Sequence, residues 1–178
     1  MATYIFVVKW LHFIYLLKTS AMTHKTIVES SGGQQDVRIT RTFDLPVELL
    51  FRAYEDPELV EKWMHTKVLK LENRTHGSYT FETTSQQGDV LFRANGVIHQ
   101  FVPGRKIVRT FEMENTPFGA QLEFLEFEKL TADTSRLNMH VIYRSEAERD
   151  QVLHIGIGLE KGINLAHNKL EEITGKLK

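Results

Sequence analysis

Between Ile39 and Met64 the chain reads ITRTFDLPVELLFRAYEDPELVEKWM: a strand, a corner, then two short helices that each open on proline. Arg38, Thr40 and Thr42 alternate with Val37, Ile39, Arg41 and Phe43, roughly the period of two of a half-buried strand. Asp44 precedes Pro46, whose fixed φ and missing N–H suit a first helical turn. Val47, Leu50, Phe51 and Tyr54 then recur at helical spacing and form one apolar face. The pattern restarts at Asp56-Pro57-Glu58, with Asp56 as cap, Pro57 in the first position, and Leu59 and Trp63 on a shared face. A lone strand feeding two small helices, followed by some eighty residues of strand pattern, is an uncommon order.

These residues resemble the homologues of the activator of the 90 kDa heat shock protein ATPase, a family of the START-like (Bet v 1-like, polyketide cyclase) superfamily. The resemblance rests on Arg41, Phe43, Asp44, Pro46, Phe51, Ala53, Asp56-Pro57-Glu58 and Trp63. It continues through Gly77 with Tyr79 and Phe81, Gly96, the run Arg105–Phe111, and Ser135-Arg136-Leu137, covering Asp36 to Lys178. Two departures stand out: Trp63-Met64 where the family often has paired tryptophans, and Gly162-Ile163 where it has Gly-Trp in the last helix. The resemblance implies a helix-grip fold with a cavity between sheet and helix. It also suggests a chaperone partner, for which no pattern in the chain itself gives support.

After Trp63, strand-like runs cover Lys67–Arg74, Ser78–Thr84, Val90–Val102, Lys106–Glu114, Gln121–Leu130 and Arg136–Arg144, separated by tight polar turns. Short connections argue for an antiparallel meander, since parallel strands need long crossovers. From Glu146 the period changes. Val152, Ile155, Leu159, Ile163, Ala166, Leu170 and Ile173 fall three or four apart, one continuous stripe on a helix of about 28 residues. Ser145 marks its start and Gly175 its end. The expected class is α+β: a curved antiparallel sheet wrapped around a long C-terminal helix, with two short helices after the first strand.

A length of 178 residues favours one domain, and 42% hydrophobic with 25% charged residues is ordinary for a soluble protein. With 22 basic against 23 acidic residues and no basic cluster, nucleic-acid binding is not expected. The absence of cysteine removes disulfides, thiol catalysis and thiolate metal sites, and fits a reducing cytoplasm, the compartment expected here. Residues 1–21 form an apolar N-terminal extension and residues 22–35 a polar linker to the ligand-binding domain, residues 36–178. Ala2–Leu17 spans about 24 Å as a helix, short of a ~30 Å hydrocarbon core. Three readings stay open for it: a signal or anchor, a packed or oligomer-forming arm, and an extension ahead of a true start at Met22. Such an apolar face, if ordered, needs cover, so self-association through this segment is expected.

The chain carries few motifs with chemistry of their own. Gly156-Ile157-Gly158 has Lys161 where a dinucleotide fingerprint needs its third glycine, and too few residues follow. Gly158 and Gly162 instead suggest close packing or a ligand-facing helix surface. The eight histidines lack metal-ligand spacing, so neither metal nor cofactor is expected, although His99 and His140 lie on strands. Glu112, Glu123, Glu126 and Glu128 read as solvated strand positions rather than a catalytic pair. No catalytic residue is assigned.

The positive signal is the aromatic and methionine content of the strands. Tyr79 and Phe81 alternate on one, Phe92, Ala94, Gly96 and Ile98 on the next, with Ala94 and Gly96 as gaps in the wall. Ile107, Phe111 and Met113 follow, interrupted by Arg109; then Leu122 and Phe124; then Leu137, Met139, Val141 and Tyr143. The expected function is binding of a small apolar or amphipathic ligand of unknown identity. Its lining would be Trp63, Tyr79, Phe81, Phe92, Phe111, Met113, Phe124, Met139 and Tyr143, with Gly158 and Gly162 on the helix and Arg109 as the inward charge. The alternatives are a cyclase- or aromatase-like enzyme, which needs an interior acid–base pair, and a chaperone-interacting module.

Overall fold

The computed structural model describes residues 24–154 and 158–178. Strand β1 (Ile27–Glu29) pairs with β2 (Asp36–Phe43), which leads into helices α1 (Val47–Glu55) and α2 (Pro57–Met64). Six strands follow: β3 (Lys67–Leu71), β4 (Ser78–Thr84), β5 (Val90–Val102), β6 (Lys106–Met113), β7 (Gln121–Lys129) and β8 (Ser135–Ile142). Helices α3 (Glu146–His154) and α4 (Leu159–Gly175) close the chain. All neighbours in the sheet are antiparallel, in the order β1-β2-β8-β7-β6-β5-β4-β3. The meander β3 to β8 runs through consecutive hairpins, and β2 joins its far side along β8 from Asp36↔Ile142 to Phe43↔Ser135. One curved face carries the core; the two short helices and α4 cover it.

The corner after β2 is built as its residue types dictate. Val37, Ile39, Arg41 and Phe43 point inward. Pro46 caps α1, its carbonyl accepting from Leu49 and Leu50, and Val47, Leu50, Phe51, Ala53 and Tyr54 bury the helix face. The Asp56 carboxylate accepts the Glu58 N–H at 3.0 Å with Pro57 in the first turn of α2. His65 ends α2 in the left-handed region (φ 50°).

Two sequence expectations change. The single long helix is two: Gly158, with φ 84° and ψ 148°, is the N-cap of α4 and stands outside any right-handed helix. Apolar spacing runs across the break, which hides it, because the left-handed region is open to glycine at almost no steric cost. Within the segment read as linker, Ile27–Glu29 forms an edge strand and Thr26 is fully buried. The self-association expected of residues 1–21, and the positions of Ile155, Gly156 and Ile157, lie outside the described residues. Among the described residues no helix is long and apolar enough to cross a membrane.

Candidate functional site

The inner sheet face divides into a filled end and a more open one. Toward α1 and α2 the filling is aromatic. The Phe127 ring meets Phe51 edge-on at 4.9 Å and Tyr54 at 5.3 Å, and Tyr54 lies 5.2 Å from Trp63. The Trp63 indole N–H donates to the Ala53 carbonyl at 2.7 Å. Trp63 therefore belongs to the packed end, tying α2 to α1.

Toward α3 and α4 the apolar side chains stay partly accessible. Phe92, Phe111 and Met113 on β5 and β6 are half-buried, and so are Val152, Leu153, Leu159, Ile163 and Ala166 on α3 and α4. Tyr79, Phe81, Met139 and Tyr143 complete the wall and are buried. Gly162 is buried on α4, one turn into the helix, and Gly158 sets its start.

Gly96 is not a gap. It pairs across the ladder with Tyr79, whose hydroxyl crosses it to donate to the Thr110 carbonyl at 2.6 Å. A Cβ on Gly96 would come within 1.9 Å of that carbonyl oxygen and 2.8 Å of the phenol oxygen. The residue is small so that the tyrosine can lie over it, and Ala94 beside it is buried.

Phe124 is misplaced by the sequence reading. In β7 it is Glu123, Leu125 and Phe127 that face inward. Phe124 lies on the opposite face, stacked on His140 at 5.8 Å with the Lys106 ammonium 6.0 Å from its ring. The run Leu122-Glu-Phe-Leu-Glu-Phe127 has apolar residues at both parities, so alternation alone leaves two choices. Pairing decides: Leu125 lies opposite Met139 and Phe127 opposite Leu137, both core residues. The same choice turns Glu123, read as solvated, inward. His140 hydrogen-bonds Asp36 at 2.6 Å on the outer face, and His99 is exposed.

Glu123 meets Arg109 inside. The Arg109 Nε donates to Glu123 Oε2 at 2.8 Å, and Gln121 Nε2 donates to Oε1 at 2.7 Å. The guanidinium lies 5.1 Å from the centre of the Tyr79 ring. Burial works against the charge on Arg109, but the Glu123 carboxylate, by charge and by hydrogen bond, leads the influences that outweigh it and raise its pKa. Burial likewise raises the pKa values of Tyr54, Tyr79 and Tyr143 and keeps all three neutral; Arg109 offsets this in part for the first two, and Glu123 adds to it for Tyr143.

A second polar cluster fastens β2 to α4. Arg41, fully buried, pairs with Glu171 at 2.9 Å and donates to Asn168 at 2.7 Å, Asn164 at 3.2 Å and Thr26 at 3.3 Å. Thr26 Oγ1 shares a 3.0 Å hydrogen bond with His167 Nδ1, and the Tyr54 hydroxyl lies 3.5 Å from Nε2. Burial, then the Arg41 charge, lowers the His167 pKa to about 3, so the imidazole is neutral. Arg41 shares the parity of Val37, Ile39 and Phe43, and that was the available signal. Glu171 and His167 lie on the polar side of the helical stripe and carried none. Among the described residues no group of His, Asp and Glu is arranged to hold a metal ion.

The arrangement is thus a largely apolar inner sheet face that carries one paired charge and is in part accessible, on a grip of sheet around helix. The family model described as Activator of Hsp90 ATPase homolog 1-like protein matches residues 44–175. The chain belongs to that family. Its Hsp90 ATPase activator-like match begins at the β2–α1 corner and ends with α4. No protein of curated function matches. Solved structures share the fold. A Mycobacterium smegmatis protein superposes with a TM-score of 0.72 at 21% identity, over 83% of this chain and 95% of that one. A Rhodobacter sphaeroides protein gives 0.74 at 18%, over 86% and 100%. CalU16 from Micromonospora echinospora gives 0.59 at 16%, over 88% and 96%.

Proposed function

We propose that this chain is a binding module for a small, mostly apolar molecule held between the inner sheet face and helices α3 and α4. One observation carries this reading. The stripe of α4 is sealed at Leu170 but only half-buried at Leu159, Ile163 and Ala166, and on the inner face of β6 Phe111 and Met113 are half-buried as well. Water against such surface is unfavourable by roughly 25 cal/mol per Å², and an apolar guest would recover that free energy. Glu123 is occupied by Arg109 and Gln121, and the three buried tyrosines are held neutral. The interior therefore offers a place to hold a molecule but, among the described residues, no group poised to take or give a proton near neutral pH.

The neutral fluorophore N-phenyl-1-naphthylamine serves as the test. It should bind with a saturable, one-to-one signal, and native mass spectrometry of the freshly purified protein should show mass that leaves on denaturation if a natural ligand is retained. Ala166→Trp should fill the space and weaken probe binding by about tenfold, the effect of some 1.4 kcal/mol. Its thermal transition should stay within a few degrees of the parent. Unsaturable probe fluorescence, or binding indifferent to the tryptophan, would remove the site.

A further inference from the structure

The interior charge pair is incompletely used. Glu123 has both oxygens occupied, one by Arg109 Nε and one by Gln121. Arg109 is not: neither Nη nitrogen has a hydrogen-bond partner among the described residues, and neither is a sealed, unsatisfied atom. The side chain keeps 11% of its surface accessible although it points into the sheet–helix interior. The Tyr143 hydroxyl has no hydrogen-bond partner among the described residues and is not sealed, while the Tyr79 hydroxyl is committed to Thr110. A guanidinium carries five N–H donors in a fixed fork. Here one is consumed, and the terminal four have no partner among the described residues.

Charge then decides what those donors accept. The pair is already neutral as a unit, so an added carboxylate would bring a second negative charge close to Glu123 in a poorly screened interior. A carbonyl or hydroxyl oxygen accepts the same hydrogen bonds without that repulsion. Phe111 and Met113, one and two inward positions further along β6, continue the wall as apolar surface beyond the fork. The site is therefore polar at one end and apolar along its length.

We infer that Arg109, fixed through Nε by Glu123, is the specificity-determining group of this cavity and that the ligand is an apolar body bearing a neutral oxygen acceptor, received by the free Nη donors. The inference rests on the interior-binding reading above and names the ligand class for that same site.

Three isosteric probes test it by titration calorimetry: 2-ethylnaphthalene, 2-acetonaphthone and 2-naphthoate. The ketone should bind about tenfold tighter than the hydrocarbon, as hydrogen bonds to a charged donor allow, and the carboxylate should bind no tighter than the ketone. In Arg109→Met/Glu123→Gln, which removes both charges together and leaves Gln121 a partner, the ketone preference should shrink to within about twofold while hydrocarbon affinity holds. Should that variant fail to fold, Arg109→Lys keeps the ion pair, loses the fork, and should lose the preference too. Equal binding of ketone and hydrocarbon by the parent protein overturns this inference but leaves the binding site standing. Tightest binding of 2-naphthoate overturns it as well. Loss of hydrocarbon binding in a folded variant would show that the pair shapes the cavity rather than reads the oxygen. Failure of all three probes to bind removes the interior site itself.

Discussion

His167 is held neutral where an unfolded chain would let it charge, and this has a consequence in solution. Its pKa is about 3 in the fold against 6.5 for a free imidazole, through burial first and the Arg41 guanidinium second. Between those values the unfolded state binds more protons, so stability falls as pH falls from about 6.5 toward 3, and is fully present above 6.5. The slope from this one group is at most roughly 1.4 kcal/mol per pH unit. The groups facing it are Arg41, Thr26, Tyr54 and the edge of Phe43, none of which offers the imidazolium a counter-charge. Glu171 is engaged with Arg41 and with the Asp44 N–H. In urea unfolding between pH 7 and 4, His167→Gln should flatten the pH dependence relative to the parent while keeping an acceptor for Thr26. Identical slopes in the two proteins would place the acid-sensitive group elsewhere. The sequence left this cluster half visible: Arg41 sat at an inward parity, but a histidine on the polar flank of a helix shows no sign of being buried until its helix is docked.

At the level of elements, strands were readable wherever one parity was plainly apolar, as in β2, β4 and β8. In β7 both parities are apolar, and only the neighbour's register distinguishes them. That ambiguity sent Phe124 inward and Glu123 outward, and with them half of the polar site. The α3–α4 break was illegible for a different reason, since helical periodicity is a property of side chains and Gly158 has none. Its φ 84° and ψ 148° belong to a region essentially restricted to glycine. Among the described residues, an added Cβ would find its nearest neighbour, the Leu153 carbonyl oxygen, at an ordinary 3.4 Å. Backbone strain alone should therefore make Gly158→Ala less stable by about 1–3 kcal/mol. Gly175→Ala, at the other end of the same helix, meets nothing within 4 Å and has no positive φ, and should be neutral or mildly stabilising. A Gly158→Ala protein with parental denaturant midpoint would mean that α3 and α4 can fuse into the continuous helix that the spacing suggests.

Across the whole molecule, the two chain ends described are joined through the Arg41 cluster. Thr26 donates its backbone N–H to Asn164 at 2.9 Å and meets His167 through its hydroxyl, while β1 adds its ladder to β2 at the sheet edge. On the other side, α4 reaches the same point with Asn164, His167, Asn168 and Glu171 on four successive positions of one turn-spaced face. The strand meander from β3 to β8 closes its own ladders, but the seam between β2 and α4 is polar, and its satisfaction depends on a segment that composition marks as linker. Cutting the chain within that segment should therefore be costly in proportion to the hydrogen bonds removed. A protein beginning at residue 24 keeps Thr26 and β1. One beginning at residue 31 removes both, takes from the Asn164 amide oxygen one of its two donors, with Arg41 remaining, and leaves His167 Nδ1 without its Thr26 partner beside a buried guanidinium. At about 1 kcal/mol for each lost hydrogen bond, and more where a buried group is left unmade, the second should be less stable than the first by roughly 2–4 kcal/mol. Parallel urea titrations of the two truncations read this directly, with amide exchange on α4 as the local check: Asn164 to Asn168 should lose protection first. Equal midpoints would show that water replaces Thr26 at no cost, and that the seam is held by Arg41 and Glu171 alone.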